Sequence, residues 1–259
     1  MGDLLVLCYH AVSERWPAAL SVTPADFRRQ LRFLVDRGYR GSTLSEALAD
    51  PPSGRAVVVT FDDGYRSVLE LASPILGELG LPGTVFVPTD LIGHDAPMTW
   101  PGVDGWLGGP HEAELLPLSW AEARRLVETG WEIGSHTRTH PRLTQLGDDE
   151  LADELAASRE RCEREVGRPC RSLAYPYGDH DARVVAAAAV AGYEWACTVP
   201  RRIPERPEPL AWPRVGVWHD DGALAFRAKV SPAVRRFRRT AAWSALDRPR
   251  LALKRALPR

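Results

Sequence analysis

Val57-Val58-Val59-Thr60-Phe61-Asp62-Asp63 is a continuous apolar run that stops on two carboxylates. A strand with no polar alternation is buried on both faces, so it belongs to a parallel sheet covered by helices. The same design recurs outward along the chain. His10 follows Leu7-Cys8-Tyr9, and Ser135-His136 follow Trp131-Glu132-Ile133-Gly134. Tyr175-Pro176-Tyr177-Gly178 follow Ser172-Leu173-Ala174, and His219-Asp220-Asp221 follow Val215-Gly216-Val217-Trp218. In a parallel sheet or barrel every strand C-terminus opens onto one face, so five segments bring carboxylates, imidazoles and phenols to one mouth.

The complete set of apolar runs is Leu4–Tyr9, Ala56–Phe61, Gly83–Pro88, Trp131–Ser135, Arg171–Tyr175, Glu194–Val199 and Arg214–Trp218. Helical patterns lie between them. Thr23-Pro24 reads as an N-cap and first helical position, with Phe27, Leu31 and Leu34 on one face and Gly38 beyond the end. Ser119-Trp120-Ala121-Glu122 reads as a capping box, closed by Gly130. A charged helix is expected from Asp148 to Val166 and an alanine-rich one from Asp181 to Ala191, each followed by Gly. This alternation gives an α/β architecture, its parallel sheet open or closed as a barrel. Residues 90–117, rich in Gly, Pro and Trp, break the rhythm and read as a lid-like insertion over one mouth.

The chain has 259 residues, 44% apolar and 26% charged, which excludes a disordered chain and a disulfide mini-scaffold. No stretch is long and apolar enough to span a bilayer, and the start does not read as a signal peptide. Four cysteines without a C-x-x-C pair then read as reduced thiols, and a cytoplasmic location is expected. The net charge of −1 hides an asymmetry. Residues 226–259 hold eleven Lys/Arg against one acid, Asp247, so they form a basic tail on an acidic body, 1–225. Arg235, Arg236, Arg238 and Arg239 interleave with Val234, Phe237 and Trp243. Such a segment either folds back on the body or contacts an anionic membrane. No nucleic-acid motif accompanies it, so no nucleic-acid partner is expected, and peripheral contact with the inner membrane face is.

Adjacent carboxylates at a strand end point in different directions, so one of Asp62-Asp63 can ligate a metal while the other takes a proton. Asp-Asp-Gly is also good turn chemistry. His136-Thr137-Arg138-Thr139-His140 supplies two imidazoles, and Pro141 disfavours helical geometry at His140, so a loop is expected to wrap one ion. Two His and one Asp leave positions open for water or substrate, a donor set that suits catalytic zinc and also cobalt, nickel or iron.

These residues carry a resemblance. Thr60-Phe61-Asp62-Asp63-Gly64-Tyr65, Ser135-His136-Thr137-Arg138-Thr139-His140-Pro141 and Tyr175-Pro176-Tyr177-Gly178 resemble, in order and spacing, three motifs of the polysaccharide deacetylases, carbohydrate esterase family 4. The similarity covers residues 4 to 220. It implies a distorted (β/α)7 TIM-like barrel that hydrolyses N-acetyl groups on chitin-like, peptidoglycan or related sugars. It also implies Asp63, His136 and His140 as metal ligands, Asp62 as general base and the Tyr177 backbone N–H as an oxyanion donor. Tyr175 would flank the substrate; both tyrosines equally suit a core.

Departures from the pattern are specific. The Arg that supports the base before the third motif is Ala174 here, and Arg214 is preferred over Arg171 and Arg168 as its replacement. Val217-Trp218-His219 only loosely meets the fifth motif, which would make His219 the general acid. Trp195 resembles the fourth-motif tryptophan that walls the acetyl pocket. Tyr9-His10 resembles the poly-N-acetylglucosamine deacetylase branch, making His10 a candidate beside the site. The expected function is therefore metal-dependent deacetylation of an N-acetylated sugar. Hydrolysis of a cyclic or other non-sugar amide, and binding without turnover, are the alternatives; Asp62, which is not a ligand, speaks against the last.

Overall fold

The apolar runs become the staves of a barrel in the computed structural model, which describes residues 2–243. The strands are β1 (Asp3–Tyr9), β2 (Ala11–Val12), β3 (Ser21–Val22), β4 (Arg40–Gly41), β5 (Arg55–Phe61) and β6 (Gly83–Val87). They continue with β7 (Glu132–Ser135), β8 (Ser172–Ala174), β9 (Trp195–Thr198), β10 (Trp212–Pro213) and β11 (Val215–Gly216). Eight run parallel in the order β10-β9-β8-β7-β6-β5-β1-β11, with β4 added beside β5 and β2-β3 forming a separate ladder.

The ends of that order are two pieces of one segment. Residues 212 and 213 pair with β9, and 215 and 216 pair with β1. Arg214 stands at the changeover, its N–H donating to Thr198 O at 2.9 Å, while Val217 N–H donates to Cys8 O at 2.9 Å. Residues 212–216 thus act as a seventh stave and nearly close the ring, as the expected (β/α)7 barrel requires.

Alternation along each stave sorts the core into two layers. Leu5, Leu7, Val57, Val59, Val85, Ile133 and Leu173 pack outward in the main cluster, against helices. The inner layer holds Val6, Val58, Phe86, Ala174 and Cys197. α2 (Leu44–Ala49) plugs the N-terminal end of the barrel with Leu44 and Leu48. There the Glu132 carboxylate accepts from Ser45 N–H at 3.0 Å and from the Ser172 hydroxyl at 2.6 Å, so this inward acid is satisfied.

The other helices are α1 (Pro24–Val35), α3 (Ser73–Glu78), α4 (Trp120–Glu128), α5 (Asp148–Val166), α6 (Ala182–Val190), α7 (Ala223–Val230) and α8 (Pro232–Phe237). Their starts follow the sequence signals. Thr23 caps α1 with Pro24 at its first position, Ser119 and Glu122 form the capping box of α4, and Gly167 ends α5 at φ 66°.

Gly134 keeps the inner layer open. A Cβ there would stand 2.5 Å from Ser172 Oγ and 2.6 Å from the Phe86 ring. Gly134→Ala is expected to cost about 1–3 kcal/mol through overpacking, read as a lowered thermal midpoint. The shift would displace β7, the strand that carries His136.

The insertion at 90–117 is ordered around its own apolar cluster, in which Met98, Trp100, Val103 and Leu115 pack with Trp16 and Tyr65. One reading needs revision. The boundary at 225 falls inside α7, because Phe226 and Val230 are buried in the main core and Arg235 of α8 is ion-paired to Asp3. The start of the basic segment is therefore part of the folded body; residues 244–259 lie outside the described residues.

Candidate active site

Inward register continues past the strand ends and builds the mouth. Cys8 leads to His10, Thr60 to Asp62, and Gly134 to His136, each two residues on. With Arg214 they line a cleft of about 570 Å³, walled by Trp100, Tyr175, Tyr177 and Trp218. This volume suits a small organic ligand.

Among the described residues, four non-glycine residues have positive φ: Asp63 (70°), Thr137 (68°), His140 (64°) and Tyr177 (59°). All four lie in the loops at this mouth. Left-handed backbone at non-glycine residues costs energy and persists where surroundings over-determine it, typically at functional sites. At Asp63 it turns the second carboxylate away from the first. At His140 it replaces the helical geometry that Pro141 disfavours.

One carboxylate oxygen of Asp63 faces two imidazoles. Oδ1 lies 3.3 Å from His136 Nε2 and 3.3 Å from His140 Nε2. The three ligand atoms fall within 4.8 Å of one another, and all three residues are buried. His136 Nδ1 donates to Ala174 O at 2.7 Å, which leaves the Nε2 lone pair facing Asp63. Two nitrogen lone pairs and an anionic oxygen converging in a buried space fit a divalent cation. Burial alone would push the Asp63 carboxyl upward; the facing His136 and His140 imidazoles, when they also carry a proton on Nε2, outweigh it and hold the carboxyl well below its usual range.

Asp62 occupies a different environment a few ångströms away. Arg214 grips it with two bonds, Nη1 to Oδ1 at 2.6 Å and Nη2 to Oδ2 at 2.7 Å, with Arg214 1% and Asp62 4% exposed. Arg214 Nη1 also donates to Thr60 Oγ1 at 2.9 Å. Burial raises the Asp62 pKa, the Arg214 charge lowers it, and the net shift is downward. The replacement arginine thus comes from the seam that closes the barrel. Beneath the pair, Cys8 Sγ donates to Asp62 Oδ2 at 3.4 Å. Cys8, His10 and Asp62 also group within 4.8 Å. Burial pushes the Cys8 thiol far up, in keeping with its donation of a hydrogen bond to Asp62.

Sequence order misplaced two candidates. Trp195 is the first residue of β9 and packs with Leu4 and Trp212 toward the plugged end of the barrel, away from the mouth. At the mouth an aromatic ring comes instead from Trp100 of the insertion, 4.2 Å from that of His140. His219 does not line the cleft. After the two-residue β11 the chain turns toward β3, where His219 N–H donates to Ala19 O and Nδ1 bonds Ser21 O at 3.2 Å. His10 does line it, 5.4 Å from the Trp218 ring, and its buried Nδ1 has no hydrogen-bond partner among the described residues.

Tyr175 is buried and its hydroxyl donates to Leu210 O at 2.8 Å. Tyr177 is 40% exposed, with its ring 4.7 Å from His140 and under the Arg142 guanidinium at 4.3 Å. Glu154 was not anticipated. This buried acid accepts Arg138 N–H at 2.8 Å and Thr139 N–H at 2.9 Å, pinning the loop that carries both histidines. A charge among Leu151, Leu155 and Cys162 on the inward face of α5 was its only sequence signal.

Comparison with known proteins agrees with this geometry. The polysaccharide deacetylase family model matches residues 49–196. The Bacillus subtilis protein YxkH, whose name refers to the same family, is 27% identical over 239 residues, covering 90% of this chain and 73% of that protein. The poly-beta-1,6-N-acetyl-D-glucosamine N-deacetylase of Staphylococcus aureus is 25% identical over 171 residues. That alignment covers 61% of this chain, which spans about half (54%) of the staphylococcal protein's length. The crystal structure of a polysaccharide deacetylase from Bacillus cereus superposes with a TM-score of 0.71 at 26% identity, covering 88% of this chain and 69% of that one.

Proposed function

Because the chain belongs to the polysaccharide deacetylase family, we propose that it is a metal-dependent hydrolase removing acetyl groups from N-acetylated sugars, with polymers or oligomers of N-acetylglucosamine as the substrate class. One observation carries the reading: a buried Asp62–Arg214 pair stands beside, and separate from, the Asp63, His136 and His140 donor set. A binding protein needs the second group; only a hydrolase needs both.

Asp63, His136 and His140 would hold the ion, and a His₂Asp set with open positions favours zinc. Such an ion, when bound, supplies Lewis acidity toward a carbonyl and a water of lowered pKa. The remaining work belongs to the chain. Trp100, Tyr177 and Trp218 hold the sugar rings, and the buried acetyl group faces the floor of the cleft. Asp62, kept ionised by Arg214, accepts the proton from the attacking water. The Tyr177 backbone N–H stabilises the tetrahedral oxyanion. His10 donates a proton as the C–N bond breaks, giving acetate and a free sugar amine. Burial lowers the His10 pKa more than the nearby carboxylates raise it; the assignment rests on the place of its ring in the cleft beside Asp62 and Asp63.

His10→Ala is accordingly expected to lower kcat by about 10²–10⁴-fold, whereas His219→Ala stays within a few-fold of the parent. Equal losses in the two variants would contradict the assignment. The function itself is tested by acetate release from the metal-loaded chain. N-acetylglucosamine oligomers should yield acetate; turnover confined to cyclic or non-sugar amides, or no turnover at all, would overturn it.

A further inference from the structure

The pole opposite the mouth carries a second pocket. Four arginines, Arg55, Arg235, Arg236 and Arg239, converge with one acid, Asp3, around a pocket of about 420 Å³. Asp3 and Arg55 begin β1 and β5, whose far ends lead to His10 and Asp62, so a strand length of roughly 20 Å separates the two sites. Nothing in the hydrolytic mechanism uses this pocket.

Its charge is left over rather than neutralised. Asp3 is engaged from within, accepting from Arg235 Nη2 at 2.5 Å and from the Tyr39 hydroxyl. Arg235 is only 8% exposed and is further held by donation from Nε to Val230 O at 3.1 Å. Among the described residues, Arg236 and Arg239 have exposed guanidinium groups without a carboxylate partner. Residues 244–259, outside the described residues, add by sequence five more Lys/Arg against Asp247. Planar, always-charged guanidinium groups around a concave space suit phosphate oxygens.

The surroundings select the source of that phosphate. Phe237, 39% exposed, lies next to these arginines and meets Trp243 edge-on at 5.7 Å, with the Arg238 guanidinium 5.8 Å from the indole ring. An exposed phenylalanine backed by a half-buried tryptophan and set among arginines matches the interfacial zone of a bilayer. A nucleic acid would call for cations tracking a strand, whereas these four converge on a single pocket.

We propose that this pole docks on an anionic bilayer, with a lipid headgroup phosphate seated between Arg55, Arg235, Arg236 and Arg239 and the Phe237–Trp243 pair at the interface. The catalytic mouth then faces away from the lipid, toward sugars held off the surface. The proposal stands apart from the deacetylase reading, because the two poles share no residue.

Truncation at 225 would strip core residues, so point variants are the suitable test. The full chain should co-sediment with vesicles containing phosphatidylglycerol but not with phosphatidylcholine alone, and high salt should release it. Each charge near an anionic surface is worth roughly five-fold, so Arg236→Gln/Arg239→Gln should bind about 30-fold more weakly. Acetate release from a soluble N-acetylglucosamine oligomer should be unchanged in that variant. Undiminished vesicle binding by the variant would overturn the proposal. So would failure of the parent to bind vesicles, capture of inorganic phosphate without vesicle binding, or a preference for an oligonucleotide over vesicles.

Discussion

Asp62→Asn is expected to reduce kcat by about 10²–10⁴-fold while leaving metal content unchanged. Asparagine keeps the size of the side chain but cannot take the water's proton. Asp63, His136 and His140 contribute ligand atoms within 4.8 Å of one another without help from Asp62, so the ion should remain. The change also leaves the Arg214 guanidinium buried without its counter-charge. A loss of stability should therefore accompany the loss of rate, and kcat must be compared at a temperature where the variant is folded. A variant that keeps its fold and its rate would remove Asp62 from the mechanism.

Arg214→Met should produce the largest loss of stability of any single change at the mouth. The residue is 1% exposed, bonds both oxygens of Asp62 and the Thr60 hydroxyl, and sits where 212–216 crosses from β9 to β1. Removing one partner of a buried ion pair strands the other charge and typically costs about 3–5 kcal/mol. For a chain of this size the thermal midpoint would fall on the order of 10 °C. Pairing the change with Asp62→Leu removes the stranded carboxylate, so the double variant should recover part of the loss while remaining inactive. A single variant as stable as the parent would mean that the pair does not close the seam.

Most of the barrel was legible because each stave is an apolar run stopped by a polar residue, and because α1, α4 and α5 carry clear caps. The two carboxylates and two histidines were legible for the same reason, lying immediately past such runs. Trp195 was misread because motif order does not say which end of a strand a residue occupies; its place at the start of β9 puts it in the plugged layer. His219 was misread because β11 is only two residues long, so the chain leaves the mouth sooner than an ordinary stave would. Alternation held a better clue: His10, Asp62 and His136 share the inward parity of Cys8, Thr60 and Gly134. Around α7, the count of arginines obscured the apolar spacing of Phe226 and Val230, which places that helix in the core.

Metal content tests the division between ligands and base most directly. Elemental analysis of purified, zinc-equilibrated parent, His136→Ala and Asp62→Asn proteins should find about one ion per chain in the first and last. The His136 variant should have lost it. Full occupancy in His136→Ala, or equal loss in Asp62→Asn, would contradict the account.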